Sequence, residues 1–199
     1  MGTGGVFTYD QFDGVFQGAG GLTKTGTGPL ILTAVNANTG PTTIDQGYLV
    51  VNGSLTSSTI TANKGGTLNG QGTVGNVVVN GGAIEPGTTG TAVFTVHGNL
   101  TVQNGGSFAV KVNGTTPGSG FDQVVVSGSI NLGSPPATPG FIAFFGNNKS
   151  PLPMYKTITL LVNQGNHPIT GTFRGSLSNG VAGTAGAPLP EGAVFEGAD

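Results

Sequence analysis

The chain has 199 residues, 39 of them glycine, with no cysteine and no tryptophan, and only 7% of its residues are charged. Soluble domains carry about 25% charged residues, and disordered chains combine high charge with few apolar residues, whereas 36% of this chain is hydrophobic. The net charge of −2 arises from scattered single charges. Composition therefore predicts a folded β protein, and it excludes the basic clusters that bind nucleic acid or anionic membranes.

The run VFTYDQFDGVFQ, residues 6–17, is the most aromatic part of the chain. Tyr9, Phe12 and Phe16 are suited to cover the first coil of a stacked β structure, because that coil would otherwise expose unpaired backbone groups. We predict an aromatic N-terminal cap over residues 6–17. An ordinary strand pair with its aromatic rings in a core is the alternative.

The next two stretches, residues 20–33 and 36–55, alternate apolar and polar residues between Gly and Asn breaks. From Gly65 to Val112 the chain then consists of short apolar runs separated by Gly-Gly, Asn-Gly and Pro-Gly. Gly and Asn accept positive φ at turns, so each run predicts one short strand and no helix. No run approaches the roughly 20 apolar residues of a membrane-spanning helix.

The glycines that precede these strands recur at an uneven interval. They are separated by 19, 16 and 24 residues and stand at Gly47, Gly66, Gly82 and Gly106. A repeat of about twenty residues is typical of solenoids, in which each coil covers the apolar face of its neighbour. The spacing therefore predicts a parallel β-helix.

Several motifs resemble one known family. The segment GGLTKTGTGPLIL, residues 20–32, is followed by Asn38-Thr39-Gly40 and by TIDQGYLV, residues 43–50. This order closely resembles the passenger-associated strand repeat of bacterial autotransporters. Later stretches are similar to further coils of the same family, namely residues 66–77, 84–87, 94–102, 121–128, 171–173 and 189–195.

The resemblance implies an all-β, single-stranded, right-handed parallel β-helix with a less regular C-terminal β cap. We predict regular coils over residues 1–132 and irregular coils or a cap, continuous with the solenoid, over residues 133–199. Proline-rich breaks are expected at residues 134–140 and 147–153, a strand within residues 155–162, and a loop at residues 180–190. The resemblance also implies an extracellular or cell-surface location, and we expect the chain to be a fragment of a longer protein.

Sugar-cleaving β-helices require clustered acidic groups with a basic residue nearby. The sequence shows no two carboxylates at the coil period beside a basic residue; the carboxylates are Asp10, Asp13, Asp45, Glu85, Asp122, Glu191, Glu196 and Asp199. A polysaccharide lyase or hydrolase is therefore the weaker alternative. Only a groove that gathers Glu85, His97 and Asp122 would favour catalysis.

The other candidate sites are weak. His97 and His167 are the only histidines, and zinc needs three or four ligands. Calcium takes about six to eight oxygen ligands, and the single turn at Gly118–Asp122 offers too few of them. The threonine-rich runs at residues 23–27 and 56–61 would bind ice or a crystal surface only with threonines in register on successive coils, a register that the sequence does not reveal.

We therefore predict a non-catalytic structural or adhesive segment, without catalytic, cofactor-binding or metal-binding residues and without a cofactor. The expected partners are glycans or a host or neighbouring cell surface. Nucleic acid and membrane insertion are not expected. A self-assembling module is the second reading, because terminal coils expose edges that pair end to end with another copy.

Overall fold

The structure is a computed structural model that describes residues 10–133, 141–145, 158–176 and 188–189. Every regular element within these ranges is a β-strand. Among the described residues there is accordingly no helix long and apolar enough to cross a membrane.

The strands are two to five residues long and follow one another around successive coils. The first three coils contain β1 (Asp10–Phe12), β2 (Gln17–Gly18), β3 (Leu22–Lys24), β4 (Pro29–Leu32), β5 (Val35–Asn38), β6 (Thr42–Ile44), β7 (Gly47–Val51), β8 (Ser54–Leu55) and β9 (Ile60–Asn63). The next three contain β10 (Gly66–Gly70), β11 (Thr73–Val74), β12 (Val77–Asn80), β13 (Ala83–Pro86), β14 (Val93–Val96), β15 (Leu100–Gln103), β16 (Ser107–Lys111), β17 (Gln123–Val126) and β18 (Ile130–Asn131). The remaining described strands are β19 (Phe141–Phe145), β20 (Leu161–Asn163), β21 (Phe173–Ser176) and β22 (Pro188–Leu189).

From β1 to β20, every third strand belongs to the same sheet. The first sheet has nine strands in the order β1-β4-β7-β10-β13-β16-β19-β21-β22, the second has seven in the order β2-β5-β8-β11-β14-β17-β20, and the third has six in the order β3-β6-β9-β12-β15-β18. Pairing within the three sheets is parallel except between β21 and β22. The predicted all-β parallel solenoid is confirmed.

The glycine repeat sets the register of the first sheet, as the spacing predicted. Gly47 pairs with Gly66, and the residues that follow Gly66, Gly82 and Gly106 pair with one another in turn. A Cβ atom at Gly66 would collide with the carbonyl of Ile44 in the preceding coil, and one at Gly82 would collide with that of Asn63. The corners need glycine because two coils approach each other too closely there for a side chain.

Inward side chains stack in rows along the solenoid. In the first sheet one row runs through Leu30, Leu49, Leu68, Ile84 and Phe108. The last four of these side chains are at most 2% exposed. Each coil therefore covers the apolar surface that its neighbour would otherwise expose to water.

The interior of the first coils is more polar than the sequence suggested. Lys24 lies in the row that continues as Ile44 and Ala62 in the third sheet, and it is only 7% exposed. Its ammonium donates hydrogen bonds to the carbonyl oxygens of Thr25, Gly26 and Gln46 at 2.8, 2.7 and 3.1 Å. These hydrogen bonds replace the hydrogen bonds to water that the ammonium group loses on burial.

The predicted N-terminal cap is described only from residue 10 onward, so Tyr9 lies outside the described residues. The rings of Phe12 and Phe16 stack with centroids 4.3 Å apart. Both are half-buried and pack against the core. The full cap over residues 6–17 stays a prediction.

Beyond residue 133 the described strands continue the sheets, since β19 pairs with β16 and β20 with β17. Of the strand predicted within residues 155–162, residues 155–157 lie outside the described residues, and the described strand starts at Leu161. Of the loop expected at residues 180–190, only residues 188–189 are described, and they form β22. The proline-rich breaks lie outside the described residues. The predicted boundary at residue 132 stays a prediction.

Candidate functional site

A charged cluster lies where the first sheet turns toward the second. Glu85 belongs to β13, Lys111 is the last residue of β16, and Asp122 immediately precedes β17. The Lys111 Nζ atom is 3.1 Å from Glu85 Oε1 and 3.0 Å from Asp122 Oδ2. One lysine thus joins two carboxylates that are far apart in the chain.

Burial and hydrogen bonds hold this cluster rigid. The side chain of Asp122 is 0% exposed, against 13% for Lys111 and 23% for Glu85. Asp122 Oδ1 accepts a hydrogen bond from Ala92 N at 2.8 Å, and Oδ2 accepts one from Lys111 N at 2.7 Å. Lys111 Nζ also donates to the carbonyl oxygen of Pro86 at 2.7 Å. The buried carboxylate therefore has a partner for each oxygen.

No two carboxylates recur at the coil period beside a basic residue in the sequence, yet the fold brings Glu85 and Asp122 together at Lys111. The sequence alone did not predict this cluster. Lys111 is 26 residues from Glu85 and 11 from Asp122, and neither separation matches the coil period. The trio that would have favoured catalysis, Glu85, His97 and Asp122, is not gathered at one site in the described part of the chain. His97 follows β14 with an exposed side chain, and its backbone N–H donates to the carbonyl of Val74.

The Gly118–Asp122 turn closes a short excursion of the chain between β16 and β17. Asn113 N donates to Gly120 O at 2.6 Å, and Val112 forms an antiparallel bridge with Phe121. Among the described residues there is no group of three His, Cys, Asp or Glu side chains that could hold a metal ion. This turn reverses the chain and places Asp122 in contact with Lys111.

A shallow groove of about 460 Å³ lies beside β15 and β18. It is lined by six residues with polar side chains, Asn99, Thr101, Ser129, Asn131, His167 and Thr170, and by Ile130 and Pro168. The side-chain oxygens of Asn99 and Asn131 accept hydrogen bonds from Ser129 N and Gly133 N. These bonds fix the orientation of both side chains through their oxygens.

The outward row of the third sheet contains a threonine register that sequence reasoning missed. Thr23 pairs with Thr43, and Thr43 pairs with Thr61. The row continues through Val78 to Thr101 and Asn131, which line the groove. The register was hidden because the coils differ in length, so the threonines do not recur at a constant interval.

Comparisons with known proteins agree with this architecture. The model of the passenger-associated-transport-repeat family matches residues 22–51, which extend from the first residue of β3 to the last residue of β7. The matched segment therefore covers slightly more than one full coil.

The chain is also similar to parts of much longer proteins. It is 41% identical over 85 residues to an adhesin named BmaC autotransporter of Brucella suis, an alignment that covers 41% of this chain and 2% of the relative. It is 38% identical over 91 and over 95 residues to two extracellular serine proteases of Serratia marcescens, covering 45% and 48% of this chain but 8% and 9% of those proteins. The chain thus spans less than a tenth of the length of these curated relatives.

The stacked parallel sheets and the glycine corners define the class, a parallel β-solenoid. Residues 22–51 then indicate the kind of solenoid that it resembles: this segment matches the passenger-associated-transport-repeat family, and parts of the chain are similar to an autotransporter adhesin and to extracellular serine proteases.

Proposed function

We propose that this segment is a non-catalytic spacer and adhesive surface that acts outside the bacterial cell, either secreted or displayed. The observation that carries the proposal is the outward row of the third sheet, which combines a threonine register with a polar groove at its end. The name of the Brucella relative, an adhesin, supports the same role.

The groove offers the chemistry that neutral glycans bind. Sugar hydroxyl groups pair with amide and hydroxyl groups such as those of Asn131 and Thr101. Ile130 and Pro168 offer apolar surface beside them for the C–H faces of a sugar ring. Each such contact is weak, because protein–sugar hydrogen bonds replace bonds to water. Repeated copies of a long passenger would add avidity.

Binding of the chain to a glycan array tests this proposal. We expect weak binding of one class of neutral glycan by the wild type, and several-fold weaker binding by Thr101→Val and His167→Ala. Thr43→Val lies in the same outward row but away from the groove, so it is the matched control and should bind as the wild type does. An array without any bound glycan, or equal loss in all three variants, would contradict the adhesive role.

The absence of catalysis is part of the proposal. Glu85 and Asp122 are both bound to Lys111, and the side chain of Asp122 is buried, so this cluster offers no pair of carboxyl groups to an external sugar. The serine proteases of Serratia marcescens match over less than a tenth of their length. We expect no release of reducing or unsaturated sugar from any polysaccharide in lyase and hydrolase assays, and reproducible turnover abolished by Glu85→Gln would overturn this part.

A further inference from the structure

The buried charged cluster places an amine beside a carboxyl group that is closed off from water. Lys111 Nζ lies 3.0 Å from Asp122 Oδ2, and the side chain of Asp122 is 0% exposed. Nζ therefore also lies beside Cγ, the carbon to which Oδ2 is bonded, and fixed proximity of two reacting groups lowers the barrier to their reaction. We propose that Lys111 and Asp122 condense into an intramolecular isopeptide bond, with Glu85 carrying the proton.

The reaction needs no partner beyond these three side chains. A proton passes from the Lys111 ammonium to the Asp122 carboxylate by way of Glu85, whose Oε1 is 3.1 Å from Nζ. The amine lone pair then attacks Cγ of Asp122, the C–O bond to Oδ2 breaks, and Oδ2 leaves as water with the protons that Nζ gives up. An amine and a carboxylic acid thus become an amide and one water molecule, with no change in oxidation state.

The surroundings favour each stage of this reaction. The side chain of Asp122 is closed off from water, so water does not compete with the amine for the carboxyl carbon. Ala92 N donates to Asp122 Oδ1 at 2.8 Å, which places a backbone N–H on the oxygen that becomes negative in the tetrahedral intermediate. The carbonyl of Pro86, 2.7 Å from Nζ, fixes the direction of the amine.

The bond would close the excursion between β16 and β17 covalently. Lys111 and Asp122 are 11 residues apart and stand at the two ends of that excursion. The chain has no cysteine, so a disulfide cannot provide such a link. An isopeptide bond supplies one that reducing conditions do not break.

The intact mass of the purified full chain, measured under denaturing conditions, tests the proposal. We expect the wild type to be lighter than its sequence by the mass of one water molecule. Trypsin should fail to cleave after Lys111, and the digest should contain a branched peptide that joins Lys111 to Asp122. A full sequence mass together with normal cleavage at Lys111, in protein with a native β circular dichroism spectrum, would overturn the proposal.

Two variants separate this reaction from other losses of water. Lys111→Arg keeps the positive charge between the carboxylates but lacks the amine nucleophile, so it should have the full sequence mass. Glu85→Gln should form the bond many-fold more slowly, visible as a mixture of the two masses. A loss of water that persists in Lys111→Arg would belong elsewhere, for example to Asp13 before Gly14, and would overturn the assignment.

Discussion

At the scale of single residues, close approach of neighbouring coils decides which positions tolerate a side chain. A Cβ atom at Gly66 would collide with the backbone of Ile44, whereas one at Gly28 would have no atom within 4 Å. Neither glycine has a positive φ. Space, rather than backbone conformation, distinguishes the two positions.

We therefore expect Gly66→Ala to lower the free energy of unfolding by about 1 to 3 kcal/mol, the range of an overpacked interior. Gly28→Ala should leave it within about 0.5 kcal/mol of the wild type, as an open surface site does. Urea denaturation followed by circular dichroism measures both. Equal stability of the two variants would contradict the close-packed corner.

A second residue-scale prediction concerns Asp13. The hydrogen bond from the Thr33 hydroxyl, and after it the bond from the Gln11 amide, lower the pKa of this carboxyl below its ordinary value of 3.8. The folded state thus favours the charged form. The contribution to stability is present above the ordinary pKa and is lost as the pH falls through the lowered value.

Replacement of Thr33 by Val should move the pKa of Asp13 back up toward its ordinary value, because the larger cause is removed. An NMR titration of the carboxyl resonance measures this shift directly. Thr56→Val, an exposed threonine away from Asp13, is the control and should leave the titration unchanged. A pKa that stays the same in Thr33→Val would show that the hydroxyl does not stabilise the carboxylate.

At the scale of the strand, alternation separates a buried face from a surface face. In β10 the side chain of Leu68 is 0% exposed and contributes to the row between Leu49 and Ile84. Thr67 beside it is half-buried and points the other way. Adjacent residues of one strand thus have unequal roles.

We expect Leu68→Ala to cost about 3 kcal/mol, because it removes apolar contacts and leaves a cavity between two stacked coils. Thr67→Ala on the opposite face should change stability by no more than about 0.5 kcal/mol. Thermal or urea unfolding compares the pair. Equal costs would mean that the two faces are not buried as the register places them.

Local patterns in the sequence predicted the strands and their stacking because turn glycines and apolar runs are short-range signals. Gly47 and Gly66 revealed the register directly. The cluster of Glu85, Lys111 and Asp122 could not be predicted, because its members meet only once the excursion between β16 and β17 has folded back. The threonine register was likewise hidden by unequal coil lengths, although Thr23, Thr43 and Thr61 are all visible in the sequence.

At the scale of the whole molecule, the stacking of coils makes the sheets long in the direction of stacking. Nine strands spaced about 4.8 Å apart extend the first sheet over roughly 40 Å. Only 7% of the residues are charged, so long-range repulsion between copies is weak. The proposed spacer role requires the protein to stay monomeric, although its low charge gives little repulsion between copies.

We expect a monomer whose molar mass is independent of concentration when size-exclusion chromatography is combined with light scattering. The reason is that the half-buried Phe12 and Phe16 cover apolar core at the first described coil. A molar mass that rises with concentration would instead favour the self-assembling module, in which the solenoid ends pair. In that case, Phe12→Ser should increase the association between copies, because the substitution removes one of the rings that cover the first described coil.

The uneven coils have a consequence for how such a protein changes over generations. The coil from Gly82 to Gly106 is longer than the one before it, yet the pairing of β10, β13 and β16 keeps its register. Part of the extra length lies at the exposed corner around Thr88, Thr89 and Gly90. Insertions and deletions at this corner alter what the surface presents while the strands beneath stay aligned, so a lineage can vary its exterior quickly without having to find a new fold.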